Sequence, residues 1–165
     1  DMAWGGKHHP QVPVYLAANS GHGQRRGHPQ QERRQQNKQA WLAEHFFDGV
    51  EPLLEPPSVR SLVEGGRLSV RVNFKPGSVA ESGRIWWMYD RAPEGSAPFL
   101  LTPIPEEQWA DMKRDPKTGS WTANIPLEKG ASRIDFFSNH GHMANGYKQY
   151  HSSPYTRVEL SSSQN

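Results

Sequence analysis

The sequence predicts a mainly β protein: an antiparallel, immunoglobulin-like β-sandwich of about 100 residues, carried behind a short strand, a histidine loop and a helix. Three observations predict it. From Arg67 onward apolar residues alternate with polar ones, as in "RLSVRVNF", where Leu68, Val70, Val72 and Phe74 oppose Ser69, Arg71 and Asn73. That is the period of a strand with one buried face. Further candidates, "RIWWMYD", "SWTANIPL", "SRIDFFSNH" and "YTRVEL", are separated by proline and glycine turns such as "DPKTGS". Before Val50 the character differs, with one apolar run, a glycine-flanked histidine and a stretch rich in Gln and Arg.

Taken in order, "QVPVYLAAN" at residues 11–19 is a short apolar run bounded by prolines and by Asn-Ser-Gly, which predicts a strand buried on both faces. After the loop, Pro29 suits a first helical turn, Glu32 suits the positive end of the helix dipole, and Gly49 supplies a stop. A helix over residues 29–47 follows. Ala40, Ala43 and Phe47 share one of its faces, widened by Trp41, Leu42 and Phe46, while its first turns are almost wholly Gln, Arg and Lys. Only its C-terminal half is expected to pack deeply. A unit this small cannot enclose a core. It should therefore lie against the sandwich, pair with another copy of the chain, or sit beside another polypeptide.

The proline-rich "VEPLLEPPSV" reads as a connector over residues 50–66, with Gly65-Gly66 marking the start of the second part. The sandwich is expected over residues 67–160, with five strands and weaker candidates at 99–102. "PEEQWADMKRD" predicts a short helical turn or an irregular edge segment with Trp109 and Met112 facing inward, and 161–165 reads as a tail.

Composition narrows the function. Hydrophobic content is 34%, but six Trp, six Phe and five Tyr supply bulky side chains for a core, so the chain is expected to fold. No apolar run approaches the ~20 residues that span a bilayer, and no membrane partner is expected. The chain has no cysteine, which excludes disulfides, thiolate metal sites and a cysteine nucleophile. Net charge is +2, all of it before Val50: six Lys and Arg against four Asp and Glu there, thirteen against thirteen afterwards. The arginines of "GQRRGHPQQERRQQNK" have no interleaved aromatics, so they read as a solvated helix face, and no nucleic acid is expected as a partner.

A serine hydrolase needs a nucleophile, a base for its proton, an acid to orient the base, and donors for the oxyanion. Histidine suits the base, since its ordinary pKa of ~6.5 lets it take and return a proton near neutrality. In "VPVYLAANSGHG", His22 stands on a loop directly behind an apolar run and ahead of the helix ending "AWLAEHFFDG". This order resembles the last strand, histidine loop and final helix of an α/β-hydrolase. The continuation through "RLSVRVNFKPGSV", "RIWWMYDRAPEG", "GSWTANIP", "IDFFSNHG" and "SSPYTRVEL" resembles the β-sandwich that ends secreted bacterial esterase-like proteins. The nearest groups are the dienelactone-hydrolase or acetyl-xylan-esterase type and the PhoPQ-activated, pathogenicity-related type.

The resemblance implies that residues 1–49 are the C-terminal end of a catalytic domain in a secreted or periplasmic carboxylic-ester hydrolase. His22 would be its general base, with Asn19, Ser20, Gly21 and Gly23 shaping the loop. No Gly-x-Ser-x-Gly occurs, so nucleophile and acid would lie on a missing N-terminal portion or another chain, and this chain alone is expected to be inactive. The resemblance implies an ester substrate and no cofactor.

Other readings attach to other residues. A noncatalytic sandwich could bind carbohydrate or a protein partner through Trp86, Trp87, Tyr89, Trp109, Trp121 and Tyr147. Strand alternation requires one of Trp86 and Trp87 to be core and the other exposed or covered by the leading unit. His140 and His142 in "SNHGHMANG", with His151 or the His8-His9 pair, have the residue type of a metal site. No spacing fixes such a site, and no metal ligand is assigned. His28 reads as an N-cap or exposed residue, and Asp90 and Arg91 as an ion pair or turn residues.

Overall fold

The structure, a computed structural model, describes residues 8, 14–19, 29–91 and 104–160. Its elements are the helix α1 (Pro29–Phe46) and nine strands: β1 (Ser58–Glu64), β2 (Arg67–Asn73), β3 (Ser82–Tyr89), β4 (Trp109–Asp111), β5 (Lys113–Arg114), β6 (Trp121–Pro126), β7 (Arg133–Ala144), β8 (Tyr147–Ser152) and β9 (Thr156–Glu159). They form two antiparallel sheets. The first runs β1-β2-β6-β5, and the second β4-β3-β7-β8 with β9 also on β7. Twelve-residue β7 organises the second sheet, pairing with β3 on one side and with β9 then β8 on the other.

The sheets face each other across one apolar core. Leu68, Val70, Val72, Trp121 and Ile125 come from the first sheet, and Ile85, Trp87, Ile134 and Phe136 from the second. The expected β-sandwich is therefore present, and the period-two alternation of β2 decides its inner face, since Leu68, Val70 and Val72 are buried between exposed neighbours. Gly83 of β3 lets the sheets close tightly. A Cβ there would stand 2.7 Å from the Trp121 ring and 3.0 Å from His140.

A second layer lies on the outer face of the second sheet. Trp86, Met88 and Phe137 project there and meet Leu16 and Ala18 of the leading segment, together with Ile104, Trp109 and Tyr155. Trp86 and Trp87 thus point to opposite faces as alternation requires, and the leading segment covers Trp86. Helix α1 packs on β8 through Ala40 and Ala43, both buried.

Four expectations need correction. Residues 14–19 form no strand, although they do lie against the sandwich: Ala18 is buried and Leu16 half-buried by contact rather than in a ladder. The connector contains β1, and Gly65-Gly66 is the turn of the β1–β2 hairpin, with φ of 57° and 71° that residues bearing a Cβ rarely adopt. "SNHGHMANG" carries the end of β7, which runs through His140 and His142, and Asn145-Gly146 turns it into β8, a strand the hydropathy pattern does not announce. Phe47 lies past the end of α1 and is exposed rather than packed. The segment before β5 is the expected edge, one 3₁₀ turn at Glu106–Gln108 followed by short β4, with Met112 in the core, but Trp109, expected to face inward with it, lies beside Trp86 on the outer face because strand residues three apart point to opposite faces. The strand expected at 99–102 lies outside the described residues.

Candidate functional site

His22 lies outside the described residues, as do Ser20, Gly21, Gly23 and His28. Both flanks of that loop are described, and side-chain amides fasten each of them. On the entering side, Asn19 has φ of 54°, a left-handed conformation that Asn tolerates. Its Nδ2 donates to the Ile104 carbonyl at 2.9 Å and its Oδ1 accepts from the Ile104 amide at 2.6 Å. On the leaving side, Asn37 of α1 does the same with Tyr150 of the edge strand β8. Each amide presents one donor and one acceptor side by side, as a neighbouring strand would.

Between these fasteners a polar relay ties the leading segment to the sheet. The Ser152 amide donates to the Val14 carbonyl at 2.8 Å, the Leu16 amide donates to Ser152 Oγ at 2.7 Å, and Ser152 Oγ donates to Asn139 Oδ1 at 2.6 Å. Asn139 Nδ2 returns to the Leu16 carbonyl at 3.2 Å. Tyr15 sits against the Tyr150 ring at 5.9 Å, and burial pushes its hydroxyl above the ordinary range while bonding to Arg33 draws it back. On the same face, Asp135, fully buried and opposite Arg157 in the β7–β9 register, receives two charge-assisted bonds from its guanidinium, at 2.6 and 2.8 Å. Tyr155 is pushed up to about 12 by burial and then by Asp135.

Two other histidines lie inside the sandwich. His140 and His151 are directly opposed on β7 and β8 and almost fully buried. The edges of Phe74 and Trp121 approach the His140 ring at 5.0 and 5.6 Å. Burial pushes His140 down to about 3, with the neighbouring His151 adding to it, and burial pushes His151 down to about 4. Both are neutral imidazoles at neutral pH. His142, two residues along, has Nε2 3.6 Å from Glu51. Among the described residues no three His, Asp or Glu side chains gather closely enough to hold a metal ion.

His140 does have one feature that sequence spacing could have suggested: Ser138, two residues earlier on the same strand face, lies 2.9 Å from its Nε2. The distance is that of a nucleophile–base pair. The surroundings prevent that chemistry. Both side chains are closed off from solvent, the Nδ1 atom that an orienting acid would hold has no hydrogen-bond partner, and a base held near 3 accepts a proton poorly at neutrality.

The aromatic residues do not form one platform. Trp87 and Trp121 are in the core, and Trp86 is buried beneath the leading segment. Trp109 is held between Trp86, at 6.0 Å, and the guanidinium of Arg84, 3.9 Å from its ring. Tyr89 is half-buried with its hydroxyl donating to the Pro126 carbonyl, and Tyr147 is exposed at the β7–β8 turn. Asp90 is a turn residue: φ is 47°, and its carboxylate accepts from Ser132 and Arg133, which holds it below the ordinary carboxylate range, the Ser132 hydroxyl contributing most.

The helix carries the remaining feature. Ala40 and Ala43 are buried where α1 meets β8, while Leu42 and Phe46, four apart on one flank of the helix, are 37% and 72% exposed. Trp41, stacked on His45 at 4.1 Å, and Phe47, past the helix end, are also exposed. No family model, curated protein or solved structure matches the chain.

Proposed function

We propose that this chain is the C-terminal part of a secreted or periplasmic carboxylic-ester hydrolase, a β-sandwich accessory domain preceded by the end of the catalytic domain. His22 is the general base, deprotonating a serine supplied by an N-terminal portion or another chain and then protonating the leaving alcohol. The observation that carries this reading is on α1, where Ala40 and Ala43 are buried at β8 while Leu42 and Phe46 stand exposed to solvent. Exposed large apolar side chains on a docked helix mark a place where another body packs, and the final helix of an α/β domain has its remaining layers beside it. The fastening of Asn19 and Asn37 on either side of the loop supports the same reading, since a general base must be held in place.

The sandwich itself is proposed to be immunoglobulin-like. With β1 to β8 lettered A, B, C, C′, D, E, F and G, the sheet orders read A-B-E-D and C′-C-F-G, the arrangement of that fold.

Ester hydrolysis and labelling by a fluorophosphonate test the assignment. The isolated chain is expected to be inert to both. The longer product of the same reading frame is expected to label on one serine, and His22→Ala within it should lower kcat by on the order of 10⁴-fold. A reading frame without a labelled serine, or full activity in the His22→Ala protein, would overturn the proposal.

A further inference from the structure

The outer face of the first sheet is covered by no described element and carries an ordered row of cations. In the register, Arg60 of β1 opposes Arg71 of β2, Arg71 opposes Thr122 of β6, and Thr122 opposes Lys113 of β5. Arg60, Arg71 and Lys113 are exposed, and among the described residues none of them has a carboxylate within ion-pair distance. The nearest negative charge is Asp115, which feels Arg71 but whose carboxylate accepts the amides of Lys117 and Thr118 in its own turn. Toward the hairpin, Arg67 is opposed by Glu64, so the unbalanced charge is confined to the Arg60–Lys113 row.

Like charges set directly opposite one another on paired strands are destabilising. Arg60 and Arg71 are such a pair, so the fold gains nothing from holding them together, whereas an anion lying between them would. Strands repeat every ~4.8 Å, so the row spans roughly 14 Å across four strands. Beside it, Leu62, Ser69 and Asn124 form the next row, with Ser69 donating to Asn124 at 2.9 Å. Arg60, Arg71 and Thr122 of the first row line, with the second row, a shallow depression of about 550 Å³, and Lys113 stands beyond it on β5. Guanidinium forks match carboxylates, and the intervening hydroxyl and amide groups match sugar hydroxyls. No aromatic side chain projects from this face among the described residues, so it lacks the base-stacking surface that single-stranded nucleic acid requires.

We infer that this face binds a linear carboxylated polysaccharide, a polyuronate of three or more sugars laid across the strands along Arg60, Arg71 and Lys113. This site is independent of His22 and of ester hydrolysis. Affinity electrophoresis of the chain in gels containing polygalacturonate tests it, with fully methyl-esterified polymer, heparin and poly(dT) as comparison gels. Expected is retardation by polygalacturonate that weakens as salt rises, none by the esterified polymer, and at least tenfold weaker binding in Arg60→Gln/Arg71→Gln. That double variant should melt no lower than the parent, since it removes a repulsion. Absence of retardation, equal retardation by the esterified polymer, parent-like binding by the variant, or tighter binding to heparin or poly(dT) would each overturn the inference.

Discussion

Asn37 on α1 and Tyr150 on the edge strand β8 form a reciprocal pair: the asparagine Nδ2 donates to the tyrosine carbonyl at 3.0 Å, and the tyrosine amide donates to Oδ1 at 2.5 Å. The pairing gives an otherwise open strand edge the two bonds that another strand would provide. Gln149 closes the same kind of pair on Leu54, and Asn145 on Glu51. With Asn19 on Ile104, four amides attach non-strand segments to the sandwich.

Removal of one such pair should loosen the attached layer without touching the sheets. Asn37→Ala loses both bonds and should lower stability by about 1–3 kcal/mol. Hydrogen exchange should show a faster Tyr150 amide and faster α1 amides, with β2 and β6 unchanged. Unaltered protection at Tyr150 would show that the pair contributes nothing.

His140 and His151 make stability fall on acidification. Their folded values of about 3 and about 4 lie below the ordinary 6.5, so between pH 6.5 and 4 the unfolded chain binds protons that the native chain does not. Stability is fully present above pH 6.5, declines through this window, and levels off once both states are protonated. Each histidine contributes a slope of about 1.4 kcal/mol per pH unit. Urea midpoints collected from pH 4 to 7 should show it, and His151→Gln should reduce the slope.

The close approach at Gly83 predicts a costly alanine. A methyl group there meets the Trp121 ring and the His140 imidazole, neither of which has room to withdraw from the core. Gly83→Ala should destabilise by about 1–3 kcal/mol and alter the near-ultraviolet dichroism of Trp121. Parent-like stability would mean that the sheets can part by several tenths of an ångström there without cost.

The two faces of α1 should respond oppositely. Ala40→Leu inserts volume between helix and β8 and should cost about 1–3 kcal/mol in thermal unfolding. Leu42→Glu, on the open side, should change stability by no more than about 0.5 kcal/mol while reducing binding of a hydrophobic dye. A large loss from Leu42→Glu would mean that this face is already packed in the chain alone.

The strands that bury apolar residues on one face were legible in the sequence. β2 follows from period-two alternation, and β3, β6, β7 and β9 from apolar runs between proline and glycine turns, while strand geometry gives the opposed orientations of Trp86 and Trp87. β8 was not legible because its inward residues are Gln149 and His151, polar groups accommodated by Leu54 and His140, although Asn145-Gly146 is a strong hairpin signal. In β1, the exposed Leu62 beside inward Val59 and Val63 blurs the period, and two prolines precede it. The run at residues 14–19 reads as a strand because burial and pairing leave the same hydropathy trace, yet here only burial occurs. The amide pairs that frame the loop of His22 depend on residues 85 and 113 positions apart in the chain, beyond the reach of any local pattern.

Because all four attachments close through side chains, any of them can open while every ladder bond of the sheets stays in place. Tension applied through the N-terminus reaches the bonds of Val14 and Leu16 to Ser152, and then the amides of Asn19 and Asn37, before it reaches the long β3–β7 ladder. The chain has a fixed order of mechanical yielding, in which the leading layer peels away whole and the sandwich behind it stays folded.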